Sequence, residues 1–254
     1  MSRSMYFGKL PLRNTVLGLR NRLAKGNPLT HLLQQYNINL VLDIGANEGQ
    51  YGRALVKNGY RGRIVSFEPL PDAFERLSQN RWGFAAWQVE QFALGAEDST
   101  AVLNIAGNSQ SSSLQAMHPS HVAAAPESAY IGDCTVTIKR LDSVFDRYYR
   151  PGDRCYLKMD VQGHEHQVLA GASGCLDSIV AVEAELSMIP LYEGQLLWTE
   201  AIEAMKSLGF ELASITPGFR DRDTSVMLQA DGVFIRKTAI ETRRAVAQIQ
   251  AEAV

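Results

Sequence analysis

A short apolar run that ends in a glycine-containing turn is the feature of this sequence that most restricts its fold. INLVLDI (38–44) is a continuous apolar run, which is typical of a strand buried on both faces of a sheet. Gly45 allows a tight turn after it, and Gly49 lets the following segment approach the strand. That segment, QYGRALVKNGY (50–60), has helical spacing and an Asn-Gly stop signal. This order predicts a nucleotide-binding turn at the edge of a parallel sheet.

The alternation of strands and helices continues along the chain. Strands are predicted at 62–69 and 86–95, then at 155–161 and 178–186, with helical segments between them. This order predicts an α/β fold with a parallel, doubly wound sheet. Two segments of alternating polarity, 99–107 and 134–141, predict an inserted antiparallel β-hairpin, and a long serine-rich connection separates them. We expect an N-terminal helical extension over residues 1–37 and one domain over 38–254, in which two late strands precede a polar C-terminal helix.

Side chains around the glycine turn favour a nucleoside ligand that has no phosphates. Asn47 occupies the position at which a dinucleotide fold needs glycine, so it would crowd a pyrophosphate. Asp43 at the end of the first strand is placed to face a positively charged amino group. Glu68 at the end of the second strand is placed to accept hydrogen bonds from both ribose hydroxyls. With adenine toward Gln91 and Ala93, these features predict S-adenosylmethionine as the cofactor.

Several short motifs in a fixed order resemble the FkbM family of S-adenosylmethionine-dependent methyltransferases. They are D-I-G-A-N-E-G, F-E-P, A-L-G, S-S-S-L, L-K-M-D-V-Q-G-H-E and P-G-F-R-D, and the resemblance runs from about residue 38 to 237. It implies a Rossmann-like class I methyltransferase fold, with a mostly parallel seven-stranded sheet and helices on both faces. It also implies O-methyl transfer to a hydroxyl of a sugar or other natural-product acceptor. The serine run 111–114 would then be a lid in which Ser112 helps to bind the cofactor or acceptor. Gln162 departs from the family, which usually has Glu at this position.

Ionisable residues interrupt two apolar strands at the edge where the cofactor is expected. Lys158 and Asp160 share one face of the fourth predicted strand, and Glu183 and Glu185 share one face of the fifth. Buried charges without partners are costly, so these groups should form a network. A sugar hydroxyl is a poor nucleophile at neutral pH, and its methylation needs a base, a metal or close positioning. Asp160 is the candidate nearest the acceptor oxygen, with Lys158 tuning it and Glu183 completing the network. A purely structural pair of Lys158 and a carboxylate is the alternative.

His164, at the start of the next helix, is a further catalytic candidate and raises the possibility of a metal site. Asp160, His164 and Glu183 together could ligate Mg²⁺, Mn²⁺ or Fe²⁺, because carboxylate and imidazole groups suit these ions. The sequence does not require a divalent metal. Tyr192 and Glu193, after the fifth predicted strand, are candidates for holding a sugar ring, although Tyr192 is equally explained by packing.

Charge and cysteine usage limit the partners and the compartment. The chain has 25 basic and 27 acidic residues, so its net charge of −2 gives no global basic field for a nucleic acid. Its three cysteines show no C-x-x-C spacing, which suits a reducing compartment. No apolar stretch approaches the roughly 18 residues that span a bilayer. We therefore expect a cytoplasmic enzyme with a small-molecule or glycan acceptor.

The N-terminal extension has a charge pattern of its own. Basic residues occur before Asp43 without any acidic residue, and leucines are mixed among them. This pattern predicts an amphipathic helical segment. Such a segment could cover a neighbouring subunit, which would make the protein a homo-oligomer, form a lid over the acceptor site, or rest on an anionic membrane surface. The first two are favoured, because the apolar residues are modest and no aromatic-rich face accompanies them.

Two functions of other kinds are the alternatives. A nicotinamide-dependent oxidoreductase would share the strand, turn and helix, but Asn47 and the lack of G-x-G disfavour it. A module that binds S-adenosylmethionine without catalysis would need no reactive cluster, so Lys158, Asp160 and Glu183 argue against it.

Overall fold

Ten strands form two sheets in the computed structural model, which describes residues 27–81 and 83–252. They are β1 (Leu40–Ile44), β2 (Arg63–Phe67), β3 (Trp87–Glu90), β4 (Ala93–Leu94), β5 (Ser99–Ala106), β6 (Tyr130–Lys139), β7 (Cys155–Met159), β8 (Ile179–Ser187), β9 (Phe210–Pro217) and β10 (Gln229–Arg236). The larger sheet has the order β3-β2-β1-β7-β8-β10-β9. Its pairs are parallel except those that β10 makes with β8 and β9. This confirms the predicted α/β fold with a mostly parallel seven-stranded sheet.

The helices of the described residues connect these strands and cover the sheet. They are α1 (Pro28–Gln35), α2 (Gln50–Lys57), α3 (Pro71–Asn80), α4 (Pro119–Ala124), α5 (Leu141–Val144), α6 (Glu165–Ala170), α7 (Trp198–Ser207) and α8 (Lys237–Glu252). Single 3-10 turns occur at Pro126–Ser128, Phe145–Arg147 and Leu176–Ser178. Within the described ranges, no helix is both long and apolar enough to cross a membrane.

Apolar side chains on the two faces of the larger sheet form two separate cores. Leu40 and Leu42 of β1 belong to one core, and Val41 between them belongs to the other. Because successive residues of a strand point to opposite faces, a strand buried on both faces is apolar on both of them. This explains why β1 is apolar at every position except Asp43.

The second core also contains the last part of the predicted N-terminal extension. Asn27 begins α1 by accepting a hydrogen bond from Leu29 N at 2.9 Å, and Pro28 occupies the first turn. Leu33 of α1 is 1% exposed and packs in this core with Tyr36. The rest of the extension, residues 1–26, lies outside the described residues, and so does the oligomer contact predicted for it.

The third predicted strand, residues 86–95, is in fact two strands in different sheets, so this prediction was wrong. β3 pairs with β2 in the larger sheet, whereas β4 pairs with β6 in a smaller sheet of order β4-β6-β5. The chain leaves the first sheet after Glu90, because Phe92 turns inward and packs against Phe67 with 5.4 Å between ring centroids. β5 and β6 pair antiparallel at the two segments predicted as a hairpin, and β4 extends them to three strands. The connection between them contains α4 and a 3-10 turn.

Candidate active site

The glycine turn after β1 packs directly against the end of the neighbouring strand β7. Gly45 has a φ of +74°, and a Cβ at this position would collide with the backbone oxygen of Asp160. Gly49 has a φ of +85°, and its Cβ would lie 2.7 Å from Leu77 Cδ1. Both positions therefore require glycine for backbone conformation and for space.

A first cleft lies above this turn, and we refer to it as the glycine-turn cleft. It encloses about 570 Å³ of empty space, part of which is open to solvent. Seven of the residues singled out in the sequence line it, namely Gly45, Asn47, Glu68, Ala93, Ser112, Asp160 and His164. Phe92 and Leu94 supply apolar surface on one side. The cleft thus combines a polar rim at the strand ends with an apolar flank.

Glu68 connects the glycine turn to the end of β2. Its Oε2 accepts a hydrogen bond from Asn47 N at 2.8 Å, and its Oε1 accepts one from Leu70 N at 2.8 Å. The side chain is 4% exposed. Burial raises the pKa of Glu68 to about 7, although the two backbone N–H groups act in the opposite direction.

The serine run forms the wall opposite Glu68. Ser112 Oγ donates to Ser109 O at 2.7 Å and accepts from Ala106 N at 3.0 Å. Asn47 Nδ2 donates to Ser109 Oγ at 3.3 Å, which links the glycine turn to this run. The smaller sheet therefore holds the serine run in place over the turn.

Three residues of the predicted cofactor-binding set, Asp43, Gly49 and Gln91, do not line this cleft. Asp43 is fully buried below the turn, where it accepts a hydrogen bond from Ser66 Oγ at 2.8 Å and lies beside Lys158. Gln91 is exposed at the point where the chain passes from β3 to β4. The direct cofactor contacts predicted for Asp43 and Gln91 are therefore corrected. Asp43 is buried beside Lys158, and Gln91 is exposed to solvent. Gly49 instead lets the start of α2 pack closely against Leu77 of α3.

A second cleft adjoins the first, and we refer to it as the acidic cleft. It encloses about 1650 Å³ of empty space including open solvent. Five carboxylates line it, those of Glu127, Asp160, Glu183, Glu185 and Asp231, and its cationic residues are Lys158 and Arg222. The two clefts share Gly45, Asn47, Gln110 and Asp160. Asp160 is the only carboxylate on this common wall among the described residues.

Lys158 lies at the base of the common wall with oxygen atoms on three sides. Its Nζ is 3.3 Å from Asp43 Oδ1, 3.5 Å from Asp160 Oδ2 and 3.3 Å from Gly45 O. The residue is 8% exposed. Burial acts to lower the pKa of Lys158, but the carboxylates of Asp160, Asp43 and Glu183 outweigh it and raise this pKa above its usual range. Lys158 is therefore a fixed positive charge that holds Asp160.

Gln162 joins Asp160 to the opposite side of the acidic cleft. Its Nε2 donates to Asp160 Oδ1 at 2.7 Å and to Glu185 Oε2 at 2.8 Å. Its Oε1 accepts from Tyr192 OH at 2.6 Å. Its backbone oxygen accepts from Ser113 Oγ at 2.6 Å, which connects the network to the serine run. Asp160 is thus held from two sides, while its side chain remains 39% exposed.

Glu183 is bound by tyrosines, although its strand register places it opposite Lys158. Its Oε2 accepts from Tyr51 OH at 2.5 Å and from Tyr156 OH at 2.7 Å. Further along the cleft, burial and the neighbouring carboxylates raise the pKa of Glu185 well above its usual value and that of Asp231 to about 6. The cleft therefore crowds acidic groups together.

His164 belongs to the glycine-turn cleft and does not line the acidic cleft. Its Nδ1 is 3.0 Å from Gln115 Nε2, and burial together with His166 lowers the pKa of His164 to about 4. Glu183 lies in the other cleft, so the predicted metal trio of Asp160, His164 and Glu183 is not assembled. Across residues 27–81 and 83–252, no group of three or more His, Cys, Asp or Glu side chains could hold a metal ion.

The acidic cleft is also lined by an ion pair that the sequence did not single out. Arg222, in the loop between β9 and β10, forms an ion pair with Glu127, in the 3-10 turn after α4. Tyr192 is buried by packing and does not line the cleft, and Glu193 is exposed. Asp231 could have been found, because it interrupts the apolar strand β10 as Lys158 interrupts β7. His121 and Arg222 carry no such signal.

A mostly parallel seven-stranded sheet with one antiparallel strand, a glycine turn after β1 and a carboxylate at the end of β2 together define the class I methyltransferase fold. The sequence matches the Methyltransferase FkbM domain over residues 43–212. The chain belongs to this family.

Three curated proteins are similar to parts of this chain. The chain is 27% identical over 147 residues to the hexuronic acid methyltransferase AglP of Haloferax volcanii, a match that covers 57% of this chain and 54% of that protein. It is 26% identical over 186 residues to the 2-O-methyltransferase NoeI of Sinorhizobium fredii, with 70% and 74% covered. A 60-residue segment is 40% identical to the antimetabolite synthetase AmbE of Pseudomonas aeruginosa, covering 24% of this chain and 3% of that protein. The matched part thus spans less than two thirds of AmbE and AglP.

Proposed function

We propose that this protein transfers a methyl group from S-adenosylmethionine to a hydroxyl oxygen of a sugar or a related polyhydroxyl acceptor. The observation that carries the proposal is the position of Asp160 on the wall shared by the two clefts. A group that assists methyl transfer must reach the atoms of both substrates where they meet. Asp160 is partly exposed there and is held by Lys158 and Gln162.

The glycine-turn cleft fits the cofactor residue by residue. Each oxygen of Glu68 uses one lone pair on a backbone N–H and keeps another for a ribose hydroxyl. Phe92 and Leu94 offer apolar surface for adenine, and Asn47 and Ser112 offer polar groups at the rim. Asp43 acts indirectly, because its carboxylate holds Lys158. When bound, S-adenosylmethionine supplies an electrophilic methyl group.

The acidic cleft would hold the acceptor, and Asp160 would act on its hydroxyl. The Asp160 carboxylate can accept the hydroxyl proton or align the oxygen by a charged hydrogen bond. Lys158 and Gln162 hold Asp160 in place, and Gln162 also bridges Asp160 to Glu185. His164 flanks the cofactor side as a neutral imidazole. The names of AglP and NoeI, a sugar-acid methyltransferase and a 2-O-methyltransferase, support oxygen of a sugar as the acceptor.

The test begins with cofactor binding and continues with turnover. Calorimetry should show binding of S-adenosylmethionine and S-adenosylhomocysteine and none of NADH. Release of S-adenosylhomocysteine is then measured with a panel of neutral, amino and uronic methyl glycosides, and products are examined for an added methyl group on oxygen. Absence of S-adenosylmethionine binding, or binding of NADH instead, would contradict the proposed function.

Variants of Asp160 test its role in turnover. Asp160→Asn retains size but removes the charge and the basicity, so turnover should fall about 10²-fold or more. Cofactor affinity should stay near that of the wild type. Asp133→Asn, at an exposed position of β6, is the matched control and should leave turnover unchanged. Normal turnover of a folded Asp160→Asn variant would show that Asp160 and Lys158 form only a structural ion pair.

A further inference from the structure

The charges of the acidic cleft are unevenly compensated. Lys158 is already shared between Asp43 and Asp160, and Arg222 is already paired with Glu127. The other three carboxylates, those of Glu183, Glu185 and Asp231, form no ion pair with a described residue. The cleft therefore carries an excess of negative charge that its own cations do not balance.

The crowding of carboxylates changes the pKa values of groups that line the acidic cleft. Burial raises the pKa values of Glu185 and Asp231, and the neighbouring carboxylates raise them further. Each additional anion would add to this repulsion, whereas an ammonium group would relieve it. A sugar that carries a carboxylate would bring such an anion into the same space.

A separate observation points to a polar ligand in this cleft. His121, on α4, lines the cleft and is 5% exposed, yet its Nδ1 is buried without a hydrogen-bond partner among the described residues. Buried polar atoms are normally paired, so an unpaired one at a cleft wall indicates a partner supplied from outside the chain. Burial lowers the pKa of His121, which makes its ring neutral at pH 7 and suited to a hydroxyl.

The surroundings of His121 fix its ring and add an aromatic surface. Tyr192 meets the ring edge-on, with 5.2 Å between ring centroids and an angle of 84°. Phe219, which also lines the cleft, lies 5.5 Å away. Aromatic rings held next to a hydrogen-bonding group present an apolar body and a polar tip, which matches the mixed surface of a sugar ring.

We propose that the acidic cleft selects neutral or amino-bearing sugars and rejects carboxylated ones, and that His121 determines specificity by hydrogen bonding an acceptor hydroxyl. This inference rests on the proposed function, because it takes the acidic cleft as the acceptor site. It separates this chain from AglP, which is named for a hexuronic acid.

Three matched probes test the charge selection, namely methyl β-glucosaminide, methyl β-glucoside and methyl β-glucuronide. Their dissociation constants are measured by ligand-observed NMR at 50 mM salt, with and without saturating S-adenosylhomocysteine. The glucuronide should bind about tenfold more weakly than the glucoside, and the glucosaminide at least as tightly as the glucoside. Raising the salt to 1 M should shrink these differences. Asp231→Asn should reduce the discrimination against the glucuronide.

Variants of His121 test the hydroxyl contact. His121→Phe keeps the aromatic packing and removes Nδ1, so glucoside binding should weaken about 3- to 10-fold. His121→Asn, which places a polar atom near the Nδ1 position, should restore part of this loss. His31→Phe, at an exposed position of α1, is the matched control and should change nothing.

The outcomes separate this inference from the proposed function. Preferred or equal binding of the glucuronide, or no binding of any probe, would overturn the inference even if S-adenosylhomocysteine binds. Failure of S-adenosylhomocysteine to bind, with the predicted order of probes intact, would overturn the proposed function alone. Equal glucoside affinity of the wild type and a folded His121→Phe variant would remove His121 from the acceptor site.

Discussion

Gln162, where the resemblance to the FkbM family predicted a glutamate, donates to two carboxylates at once. In Gln162→Glu the donor is lost and a like charge is placed beside Asp160 and Glu185. Because a neighbouring negative charge favours protonation of a carboxylate, we expect the acid limb of the kcat profile to move to higher pH. We expect kcat at pH 7 to fall about tenfold.

The control for this variant is Gln88→Glu, which makes the same change at an exposed position of β3. Affinity for S-adenosylmethionine should be unchanged in both variants, since Gln162 does not line the glycine-turn cleft. A pH profile that superimposes on the wild type would show that Gln162 has only a structural role.

Glu68, the proposed ribose-binding residue, also makes the stability of the protein depend on pH. Its folded-state pKa of about 7 exceeds the ordinary value, so it binds its proton more tightly when the protein is folded. Its contribution to stability is complete below about pH 4.5 and is lost as the pH rises through 7. Glu68→Gln cannot ionise. The unfolding free energy of this variant relative to wild type should therefore rise by about 1–3 kcal/mol between pH 5 and pH 8.

Chemical denaturation of the cofactor-free protein at several pH values measures this difference. His164 is the comparison, because its effect on stability depends on pH in the opposite direction. Its lowered pKa makes the folded state lose stability as the pH falls from 6.5 toward 4. The variant His164→Gln should therefore gain relative to wild type toward low pH. A difference between Glu68→Gln and wild type that does not vary with pH would contradict the buried position of Glu68.

At the scale of elements, the connections before and after α2 each contain a glycine with positive φ, and these two glycines form a matched pair. Gly45 and Gly59 both have positive φ, but only Gly45 has an atom in the space that a Cβ would take. Gly59→Ala should cost about 1–2 kcal/mol for its left-handed backbone. Gly45→Ala should cost more than about 3 kcal/mol, because Asp160 and the end of β7 must move as well. Urea unfolding compares the two, and similar costs would contradict the close packing of the turn.

The sequence predicted the central strands β1, β2 and β7 well because they are buried on both faces and are therefore mostly apolar. It could not divide residues 86–95 into two strands, because Val89 of β3 and Leu94 of β4 are both apolar although they belong to different sheets. It placed Asp43 at the correct strand end but could not tell whether the side chain faces the cleft or Lys158. The wall around His121 is built by a connection that has no strand or helix periodicity of its own. Local pattern thus predicts elements, whereas the assignment of a polar side chain to a cleft depends on distant segments.

For the whole molecule, α1 is part of the packed core. Leu33 and Tyr36 are buried in the core with Val41, and Arg154 Nε donates to Tyr36 O at 2.5 Å. A chain of residues 37–254 should therefore melt about 5–15 °C below a chain of residues 27–254, because it exposes this part of the core. Calorimetric scans of both chains measure the difference.

The opposite end of the chain supplies the control for this truncation. α8 has no buried residue, so removing residues 246–254 should lower the melting temperature by much less than removing 27–36. Equal losses from both truncations would contradict the assignment of α1 to the core.

The ion pair between Glu127 and Arg222 joins two connections that belong to no strand of the larger sheet. One connection leads from β5 to β6 and the other from β9 to β10. They line one side of the acidic cleft, and the strand ends and the glycine turn line the other. Under the proposed function, substitutions in these two connections can change the acceptor while the strands that carry Asp160 and Lys158 keep the same chemistry.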